Sequence, residues 1–365
     1  MIDLHHLTSA IKTEAQRLGF NAVGVASTIP LGHYQTYLDW INAGNHADMD
    51  YLARHDVIVK RGDLQKILDN CQRIICLAMP YPPPQGDIDE QHDCQGRISA
   101  YARTIDYHKV MWAKLAQLEQ FIRDRTRPDL PLKSYVDTGP ILERSYASLA
   151  GLGVAGKNSC LIIPGSGSYF FLAEVLTDLE LPVDEPFTRD LCRTCRRCID
   201  ACPTGAILPN YTINANKCIS YLTIENKSSI PDDLKKPMGS WVFGCDICQM
   251  VCPHNAVTPP QTNSLGEPLL DEFVDLLPLF SMDEDAFKAK FGHTALSRAK
   301  RTGLLRNAAI TLGNQHCQEV LPTLKMVIEN ETDPIIKEAC AWAVQALEKK
   351  AQLAHKSIKN DADDK

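Results

Sequence analysis

The sequence predicts a mixed α/β domain, a cysteine-rich module inserted after it and an all-helical C-terminal region. Three observations support this prediction. Helical and strand-like hydrophobic patterns alternate over residues 1–185, eight cysteines fall between Cys192 and Cys252, and helical periodicity dominates from about Leu269. The chain has 365 residues, enough for two or three domains with cores of their own. We therefore expect domains at 1–185, 186–260 and 261–352, followed by a disordered polar tail at 353–365.

The elements of the first domain follow from local periodicity. Leu4, Leu7, Ile11, Ala15 and Leu18 recur at helical spacing and predict an amphipathic helix over residues 3–19. Further helices are predicted at 110–123 and 141–150, and strands at 21–26, 73–80, 132–136 and 169–177. The proline-rich, acidic stretch 82–95 predicts a loop.

Composition and charge exclude several classes of protein. No apolar run approaches the roughly 20 residues that cross a bilayer, and the N-terminus lacks the apolar core of a signal peptide. We therefore expect a cytoplasmic protein with no membrane partner. The net charge of −7 argues against indiscriminate nucleic-acid binding, although it permits a local basic patch. No glycine-rich dinucleotide fingerprint follows a strand, so bound NAD is not predicted.

The cysteine-rich module contains two runs with iron–sulfur spacing. Cysteines 192, 195, 198 and 202 follow the C-x2-C-x2-C-x3-C-P pattern, in which the fourth cysteine binds the neighbouring cluster. The second run has one cysteine fewer, and Cys218 lies between the two runs. The simplest assignment gives four thiolates to each of two [4Fe–4S] clusters. The first set is Cys192, Cys195, Cys198 and Cys252; the second is Cys202, Cys218, Cys245 and Cys248.

Zinc bound by four cysteines is the alternative for these runs, and disulfides are a second one. The x2-x2-x3-Pro spacing favours iron–sulfur clusters over both. The six other cysteines are scattered, and we expect most of them to be small buried residues. Because clusters move single electrons, the chain needs either a second cofactor in the α/β domain or a partner to which it relays electrons.

Several short motifs occur in a characteristic order around these runs. They are GRISAYAR (96–103), DYH (106–108), YVDTG (135–139), AGKN (155–158), GSY (167–169), the first cysteine run, GCDICQMVCP (244–253) and RNA (306–308). Together they resemble the epoxyqueuosine reductases over roughly residues 5–350. Two stretches of the C-terminal region, 303–315 and 334–348, also resemble paired helices of an α-solenoid such as a HEAT-like repeat.

This resemblance implies a function and a set of cofactors. The family reduces epoxyqueuosine to queuosine at the wobble position of tRNA, the last step of queuosine synthesis, and it is related to the reductive dehalogenases. Electrons from an external donor of flavodoxin or ferredoxin type pass through two [4Fe–4S] clusters to a base-off cobalamin in the α/β domain. The C-terminal repeat helps to hold the anticodon stem-loop that carries the substrate. We expect a monomer.

The resemblance also assigns roles to single residues. Asp137 falls on the family's proton donor; without the resemblance, an aspartate before a helix is as readily an N-cap. Arg61 matches a position that approaches the corrinoid, and its alternative is a solvated surface charge. The remaining expected cofactor contacts are Ser99, Asp137, Lys157, Asn158, Tyr169 and Ser220. His254 is read as a supporting or surface residue and not as a cobalt or cluster ligand.

A basic stretch marks the expected RNA contact. Residues 286–318 contain no acidic side chain but six basic ones: Lys288, Lys290, Arg298, Lys300, Arg301 and Arg306. Of these, Lys300, Arg301 and Arg306 are the predicted tRNA contacts. The alternative is a solvated helix face. Two rival functions also stay open from the residues alone: a corrinoid reductive dehalogenase-like enzyme acting on a small molecule, and a ferredoxin-type electron-transfer protein.

Overall fold

The structure is a computed structural model that describes residues 3–29, 31–256, 265–315 and 317–363, with side chains described as far as Ala351. The strands in chain order are β1 (Ala22–Ser27), β2 (Arg73–Pro80), β3 (Gln95–Ile98), β4 (Leu132–Tyr135), β5 (Val154–Ala155), β6 (Leu161–Ile162), β7 (Phe170–Thr177), β8 (Trp241–Phe243) and β9 (Phe273–Asp275). The α-helices are α1 (Leu4–Arg17), α2 (His33–Asn42), α3 (Asp50–Ala53), α4 (His55–Gly62), α5 (Tyr107–Arg125), α6 (Glu143–Leu149), α7 (Arg197–Ala201), α8 (Ile219–Ile224), α9 (Asp232–Lys235), α10 (Ile247–Met250), α11 (Glu284–Phe291), α12 (Lys300–Asn314), α13 (Leu321–Asn330) and α14 (Pro334–Asp363). The mixed α/β class predicted from the sequence is confirmed.

The chain forms two compact units, and each is assembled from separated segments. Unit 1 comprises 1–83, 105–216 and 247–267, and unit 2 comprises 84–104, 217–246 and 268–365. These units cross the predicted boundaries at residues 185 and 260. Long-range strand pairing decides which segments pack together, and chain order does not reveal it: β3 pairs with β8 and β9, more than 140 residues away.

Unit 1 is built on a four-stranded sheet with the order β1-β2-β7-β4. All three of its strand pairs are antiparallel. Strand β2 is central and almost entirely buried, because seven of its eight residues are shielded from solvent. The predicted strands at 21–26, 73–80, 132–136 and 169–177 correspond to β1, β2, β4 and β7 to within one residue at each end.

Two amphipathic helices of unit 1 pack together beside the sheet. Helix α1 buries Leu7, Ile11 and Ala15, and α5 buries Met111, Leu115, Leu118 and Ile122. These residues recur at intervals of three or four, so each helix presents one apolar stripe. Asp3 caps α1 by accepting hydrogen bonds from the backbone N–H groups of His5 and His6. A second apolar cluster packs α6 against β1 and β2, and it includes Tyr146, Ala147, Ile74 and Cys76.

Unit 2 contains a small sheet with the order β8-β3-β9 and a group of helices. Strand β3 pairs in parallel with β8 and antiparallel with β9. Helix α12 lies at the centre of unit 2, because eleven of the fifteen residues of this helix are buried. Helices α12 and α13 both pack against α14. The predicted helix at 303–315 corresponds to α12, which ends one residue earlier at Asn314, and the predicted helix at 334–348 lies within α14.

Two of the scattered cysteines differ from expectation. Cys94 and Cys317 form a disulfide within unit 2. Sequence spacing gave no sign of this pair, because the two residues lie 223 positions apart. Cys71, Cys76 and Cys340 are buried as predicted, and Cys160 is half-buried.

A disordered tail was predicted at 353–365, and the described part of this segment is assigned to helix α14. Helix α14 runs as far as Asp363, and residues 364 and 365 lie outside the described part of the chain. The segment contains Ala, Leu, Lys and Gln, which favour helix, and no proline or glycine interrupts it. Over the residues that the structure describes, no helix is long and apolar enough to cross a membrane.

Candidate active site

A tight loop presents the first cysteine run in unit 1. The carboxylate of Asp190 accepts hydrogen bonds from the backbone N–H groups of Cys192 (2.9 Å) and Arg193 (3.1 Å). Arg193 has a positive φ of 44°, which turns the chain, and the Cys195 N–H then donates to the Cys192 carbonyl at 2.8 Å. Cys198 follows within the short helix α7. The loop therefore presents its sulfurs on a backbone that is held at several points.

Four cysteines line one small pocket of unit 1. Cys192, Cys195 and Cys198 come from the first run, and Cys252 comes from the second run, after α10. Burial raises the pKa of Cys198 to about 11, with further contributions from Cys192 and Cys252. Burial also raises the pKa of Cys252, and Cys192 adds to it. Four cysteine sulfurs that line one pocket, three half-buried and one buried, are a donor set that a bound cation would stabilise as thiolates.

Lys157 and Asn158, both predicted cofactor contacts, bond to the cysteine loops. The Lys157 ammonium donates to the carbonyls of Arg193 (2.6 Å) and Cys195 (2.9 Å), and its backbone N–H lies 3.4 Å from the Cys192 sulfur. The buried Asn158 amide donates to the Cys248 carbonyl at 3.3 Å. These two residues therefore connect the first cysteine run to the second. An N–H group directed at a cluster sulfur also tunes reduction potential.

His254 forms part of the wall of this pocket. Its Nε2 atom lies 3.1 Å from the Leu191 carbonyl, next to the start of the first run. This position agrees with the supporting role predicted for it.

The second predicted set of four cysteines is divided between the two units. Cys202 and Cys248 lie in unit 1, and Cys218 and Cys245 lie in unit 2. The Cys202 sulfur accepts a hydrogen bond from the Ala206 N–H at 3.4 Å. Within unit 2 the Thr223 hydroxyl, on the helix that follows Cys218, accepts from the N–H of Gly244 at 2.9 Å. This bond ties together the two segments that carry Cys218 and Cys245.

Ser99, another predicted cofactor contact, has a partner within the protein. It is buried in unit 2, and its hydroxyl donates to the carboxylate of Asp246. Gly244 has a φ of +71°, and a Cβ atom there would collide with the Ser99 side chain. Ser99 and Asp246 therefore fix the backbone on either side of Cys245. Ser220, another predicted contact, is half-buried in α8 of the same unit.

Asp137 lies just after β4 and is exposed. Its backbone is left-handed, with φ = 58°, and its carboxylate accepts a hydrogen bond from the Tyr107 hydroxyl at 2.6 Å. The Tyr107 ring stacks on Phe171, with ring centroids 4.0 Å apart. Helix α6 begins only at Glu143 with Leu142 at its N-cap, so the N-cap alternative for Asp137 is wrong.

Two carboxyl groups of unit 1 were not selected from the sequence: those of the half-buried Glu143 and the buried Glu174. Glu143 begins α6, and Glu174 lies in β7. Burial raises the pKa of Glu143 to about 8, and the charge of Asp137 adds to the effect. Burial likewise raises the pKa of Glu174 well above its usual range. A single acidic residue inside the apolar strand FFLAEVLT is the signal that could have identified Glu174.

Arg61 is a basic residue near Glu143. It lies in the last turn of α4, and its guanidinium sits 5.1 Å from the centre of the Tyr37 ring. Burial lowers the pKa of Arg61. Its Nε atom is buried without a hydrogen-bond partner among the described residues and the residue is half-buried, so Arg61 is not a fully solvated surface charge. Tyr169 is buried, and its ring packs edge-on against Tyr81.

Two of the three predicted tRNA contacts, Arg301 and Arg306, already bind partners within unit 2. Arg306 is 1% exposed and donates to the carbonyls of Leu222 (2.6 Å), Asn226 (2.9 Å) and Ser228 (2.6 Å), so its assignment as an RNA contact is wrong. Arg301 is half-buried, where it binds the Met282 carbonyl and pairs with Glu331 at 2.7 Å. Lys300 is exposed.

Comparison with protein-family models matches two parts of the chain. The family described as "4Fe-4S double cluster binding domain" matches residues 191–255, which contain the four-cysteine pocket. The family described as "Epoxyqueuosine reductase QueG, DUF1730" matches residues 61–138, which run from Arg61 past Asp137. The fold and the site therefore define an iron–sulfur oxidoreductase.

Individual relatives show to which family of iron–sulfur oxidoreductases the chain belongs. Epoxyqueuosine reductase from Cyclobacterium marinum is 40% identical over 301 residues, which cover 82% of this chain and 95% of the relative. The Escherichia coli enzyme is 36% identical over 349 residues, covering 94% and 90%. The chain belongs to the epoxyqueuosine reductase family, as its motifs predicted.

Solved structures agree with this assignment. A crystal structure of epoxyqueuosine reductase with a tRNA-Tyr epoxyqueuosine-modified stem-loop has a TM-score of 0.86 and 29% identity, and covers 94% of this chain and 91% of that one. A Bacillus subtilis epoxyqueuosine reductase, described with an aspartate catalytic loop swung out of the active site, has a TM-score of 0.86 and 28% identity, with the same coverage.

Proposed function

We propose that the protein reduces epoxyqueuosine to queuosine at the wobble position of tRNA, the last step of queuosine synthesis. The epoxide oxygen leaves as water, so each turnover consumes two electrons and two protons and leaves an alkene. The observation that carries the proposal is Asp137, an exposed carboxylate on a left-handed turn, in the same unit as the four-cysteine pocket. The related structure with a modified tRNA stem-loop supports the choice of substrate.

Two [4Fe–4S] clusters are the first part of the proposal. Cys192, Cys195, Cys198 and Cys252 would hold one cluster, and their shared pocket fits this assignment. Cys202, Cys218, Cys245 and Cys248 would hold the other, as the cysteine spacing predicts. The clusters supply single electrons from an external donor of flavodoxin or ferredoxin type. The loop contacts of Lys157 and Asn158 hold the sulfur-bearing backbone in place.

Cobalamin, held base-off, is the second part. The residues near Asp137 suit such a group: Arg61 has a buried Nε atom without a partner among the described residues, and a guanidinium can pair with a phosphate or amide of the cofactor. The predicted cofactor contacts stay proposals: Arg61, Ser99, Asp137, Lys157, Asn158, Tyr169 and Ser220. When bound, the corrinoid supplies a low-potential metal centre that reduces the epoxide. The contribution of this chain is to bind it, to exclude water and to provide protons.

Asp137 is the proposed proton donor. Opening of the epoxide places negative charge on its oxygen, and a carboxylic acid beside it can neutralise that charge as it develops. The Tyr107 hydroxyl holds one carboxylate oxygen, and its ring is fixed by stacking on Phe171. The other oxygen of Asp137 can therefore be directed at the substrate. The aspartate catalytic loop described for the Bacillus subtilis relative supports this role.

The helical region of unit 2 is the proposed tRNA contact and the proposed HEAT-like repeat. In the basic stretch, Arg306 is buried and Arg301 is half-buried. Three lysines of the stretch are exposed: Lys288, Lys290 and Lys300. Exposed lysines suit contact with phosphates, whereas a flipped-out anticodon base would be read in the active site.

One experiment tests the proposal. We would reconstitute the protein anaerobically with iron, sulfide and cobalamin, add a strong reductant and tRNA containing epoxyqueuosine, and analyse digested nucleosides by mass spectrometry. We expect a cobalamin-dependent loss of one oxygen from the nucleoside. Full cluster and cobalamin loading without conversion would contradict the substrate. Conversion of equal rate without added or bound cobalamin would contradict the cofactor.

A further inference from the structure

Four arginines lie close together in the sequence around the first cysteine run. Arg189, Arg193, Arg196 and Arg197 fall within nine residues of a chain whose net charge is −7, and all four are exposed. We call residues 189–197 the arginine segment. Its one carboxylate, that of Asp190, accepts hydrogen bonds from backbone N–H groups of the loop. A local excess of positive charge in a negatively charged chain attracts partners of negative charge.

Most of this positive charge is not neutralised within the protein. The side chains of Arg189, Arg193 and Arg197 have no hydrogen-bond or ion-pair partner in the part of the chain that the structure describes. Arg196 pairs with Asp200 at 3.3 Å, and both side chains of this pair are more than half exposed. An exposed pair of this kind contributes little stability. The needs of the fold therefore do not explain the arginine segment.

An open hollow borders the segment. Its volume is about 510 Å³, and Met250, Val251 and Pro253 of the second cysteine run give it an apolar lining. Arg197 lines it from the arginine segment, and Cys252, which is 8% exposed, lines it as well. Arg197 and Cys252 also line the four-cysteine pocket. The hollow therefore brings the protein surface next to two residues of that pocket.

These features fit a surface on which another protein docks transiently. Protein interfaces combine an apolar centre with a polar rim, and arginine is enriched in them. Complementary charges raise the rate of encounter, whereas the small contact area of electron-transfer partners keeps their complexes weak. RNA also carries negative charge, but contacts to phosphates need no apolar hollow beside a cysteine. An acidic protein therefore fits this surface better than RNA does.

We infer that the arginine segment and the hollow dock a small acidic protein that carries one electron at a time. Each encounter oxidises the reduced carrier by one electron and reduces this protein by one, so two encounters supply the two electrons of a turnover. Docking at this surface brings the carrier beside the four-cysteine pocket. The inference rests on the proposed function and deepens it, since it assigns the place at which the external electron donor binds.

The test uses the reconstituted holoenzyme and a reduced flavodoxin as the probe, without tRNA. Arg193→Glu/Arg197→Glu reverses two charges of the arginine segment. Arg125→Glu/Lys133→Glu is the matched control, because it changes the net charge equally at two exposed residues of the same unit. Stopped-flow absorbance of the clusters measures the second-order rate constant of their reduction. Iron content equal to that of wild type shows that a variant holds its clusters.

We expect Arg193→Glu/Arg197→Glu to lower this rate constant about 10-fold or more at low salt, because the attraction for an acidic carrier is lost. The difference from wild type should shrink toward about 1 M salt, where the Debye length is about 3 Å. The control variant should stay close to the wild-type rate. Asp200→Lys should raise the rate constant at low salt, since Asp200 lines the hollow and partly offsets the charge of Arg196.

Arg189→Glu is a second variant, used if the double variant loses iron. Arg189 lies before the first cysteine, so its substitution leaves the cysteine run intact, and it should lower the rate constant in the same direction. Rate constants and salt dependence equal to those of wild type would overturn the inference. So would weaker binding of a tRNA anticodon stem-loop with unchanged reduction by flavodoxin, which would make the segment an RNA contact.

Failure of the proposed function gives a different result. Flavodoxin would then reduce the wild-type clusters at a salt-dependent rate, but tRNA containing epoxyqueuosine would not be converted. Conversion at the wild-type rate by Arg193→Glu/Arg197→Glu at low salt, with flavodoxin as the limiting donor, would overturn the inference and leave the proposed function intact. Wild-type clusters that reduced flavodoxin fails to reduce would also overturn the inference.

Discussion

Asp137 has a backbone conformation that few residue types accept. A φ of 58° places it in the left-handed region, which aspartate tolerates better than most side chains other than glycine. Such conformations persist only where the surrounding structure holds them, and they concentrate at functional sites. Here the Tyr107 hydroxyl donates to the Asp137 carboxylate and so fixes the side chain. The turn therefore orients a carboxylate and is not a simple connection between β4 and α6.

The acid role of Asp137 gives a prediction at this scale. Asp137→Asn should keep the left-handed turn and the Tyr107 hydrogen bond but remove the proton. We expect kcat to fall about 100- to 10,000-fold while the affinity for tRNA is unchanged, because only proton transfer is lost. Single-turnover rates and a binding isotherm measure the two quantities. Asp124→Asn, on the exposed face of α5, is the control. Full turnover by Asp137→Asn would refute the assignment.

Helix α12 shows how an element can carry basic residues for a structural reason. Its core segment GLLRNAAITLGN is apolar except for a few side chains, and Arg306 and Asn307 are the two that form buried networks. Arg306 binds three backbone carbonyls, and Asn307 donates to the carbonyls of Thr223 and Val242. Burial lowers the pKa of Arg306 to about 10, so it still carries its charge near neutral pH. These contacts join α12 to α8, β8 and the chain that connects them.

A pair of substitutions on α12 separates folding from RNA binding. Arg306→Met should destabilise the protein by more than about 3 kcal/mol, because each buried carbonyl left unsatisfied costs about 1–3 kcal/mol. Denaturant unfolding measures this loss, and the remaining folded protein should bind tRNA normally. Lys300→Glu should show the reverse: unchanged stability, weaker tRNA binding and a shallower salt dependence. Equal tRNA affinity of Lys300→Glu and wild type at low salt would remove Lys300 from the proposed contact.

At the scale of the whole molecule, the four-cysteine pocket depends on residues far apart in the chain. Cys252 lies 54 positions after Cys198 and reaches the pocket through α10. Asn158, from a third segment, bonds to the second run at Cys248. The backbone around the pocket is therefore held by several parts of unit 1. Metal binding should in turn stabilise that unit.

The ligand assignment gives a prediction at this scale. Cys252→Ser should lower the iron content of the reconstituted protein to about half, because one of two four-iron clusters loses a thiolate. Cys160→Ser is the matched control, since Cys160 lies near Cys252 but outside the ligand set. Iron and sulfide analysis together with the visible spectrum would measure the result. Full iron content in Cys252→Ser, or a loss of iron in Cys160→Ser, would require another assignment.

The sequence alone determined the features that depend on local order. Hydrophobic periodicity predicted α1, α5 and the four strands of the larger sheet, and the cysteine spacing predicted an iron–sulfur module. Short motifs in order identified the family and directed attention to Arg61 and Asp137. These signals can be read from the sequence because helix period, strand alternation and cluster-loop geometry are all set within a few neighbouring residues.

Only the tertiary structure decided which side chains are buried and which distant segments meet. Arg306 was predicted as a tRNA contact from its place in a basic stretch, but its guanidinium binds backbone carbonyls of the protein itself. The buried Glu174, the Cys94–Cys317 disulfide and the division of the chain into two units of alternating segments were not predicted from the sequence. The physical reason is common to all of them. Burial and pairing depend on what packs against a residue, and for these residues the partners lie between about 40 and 220 positions away in the chain.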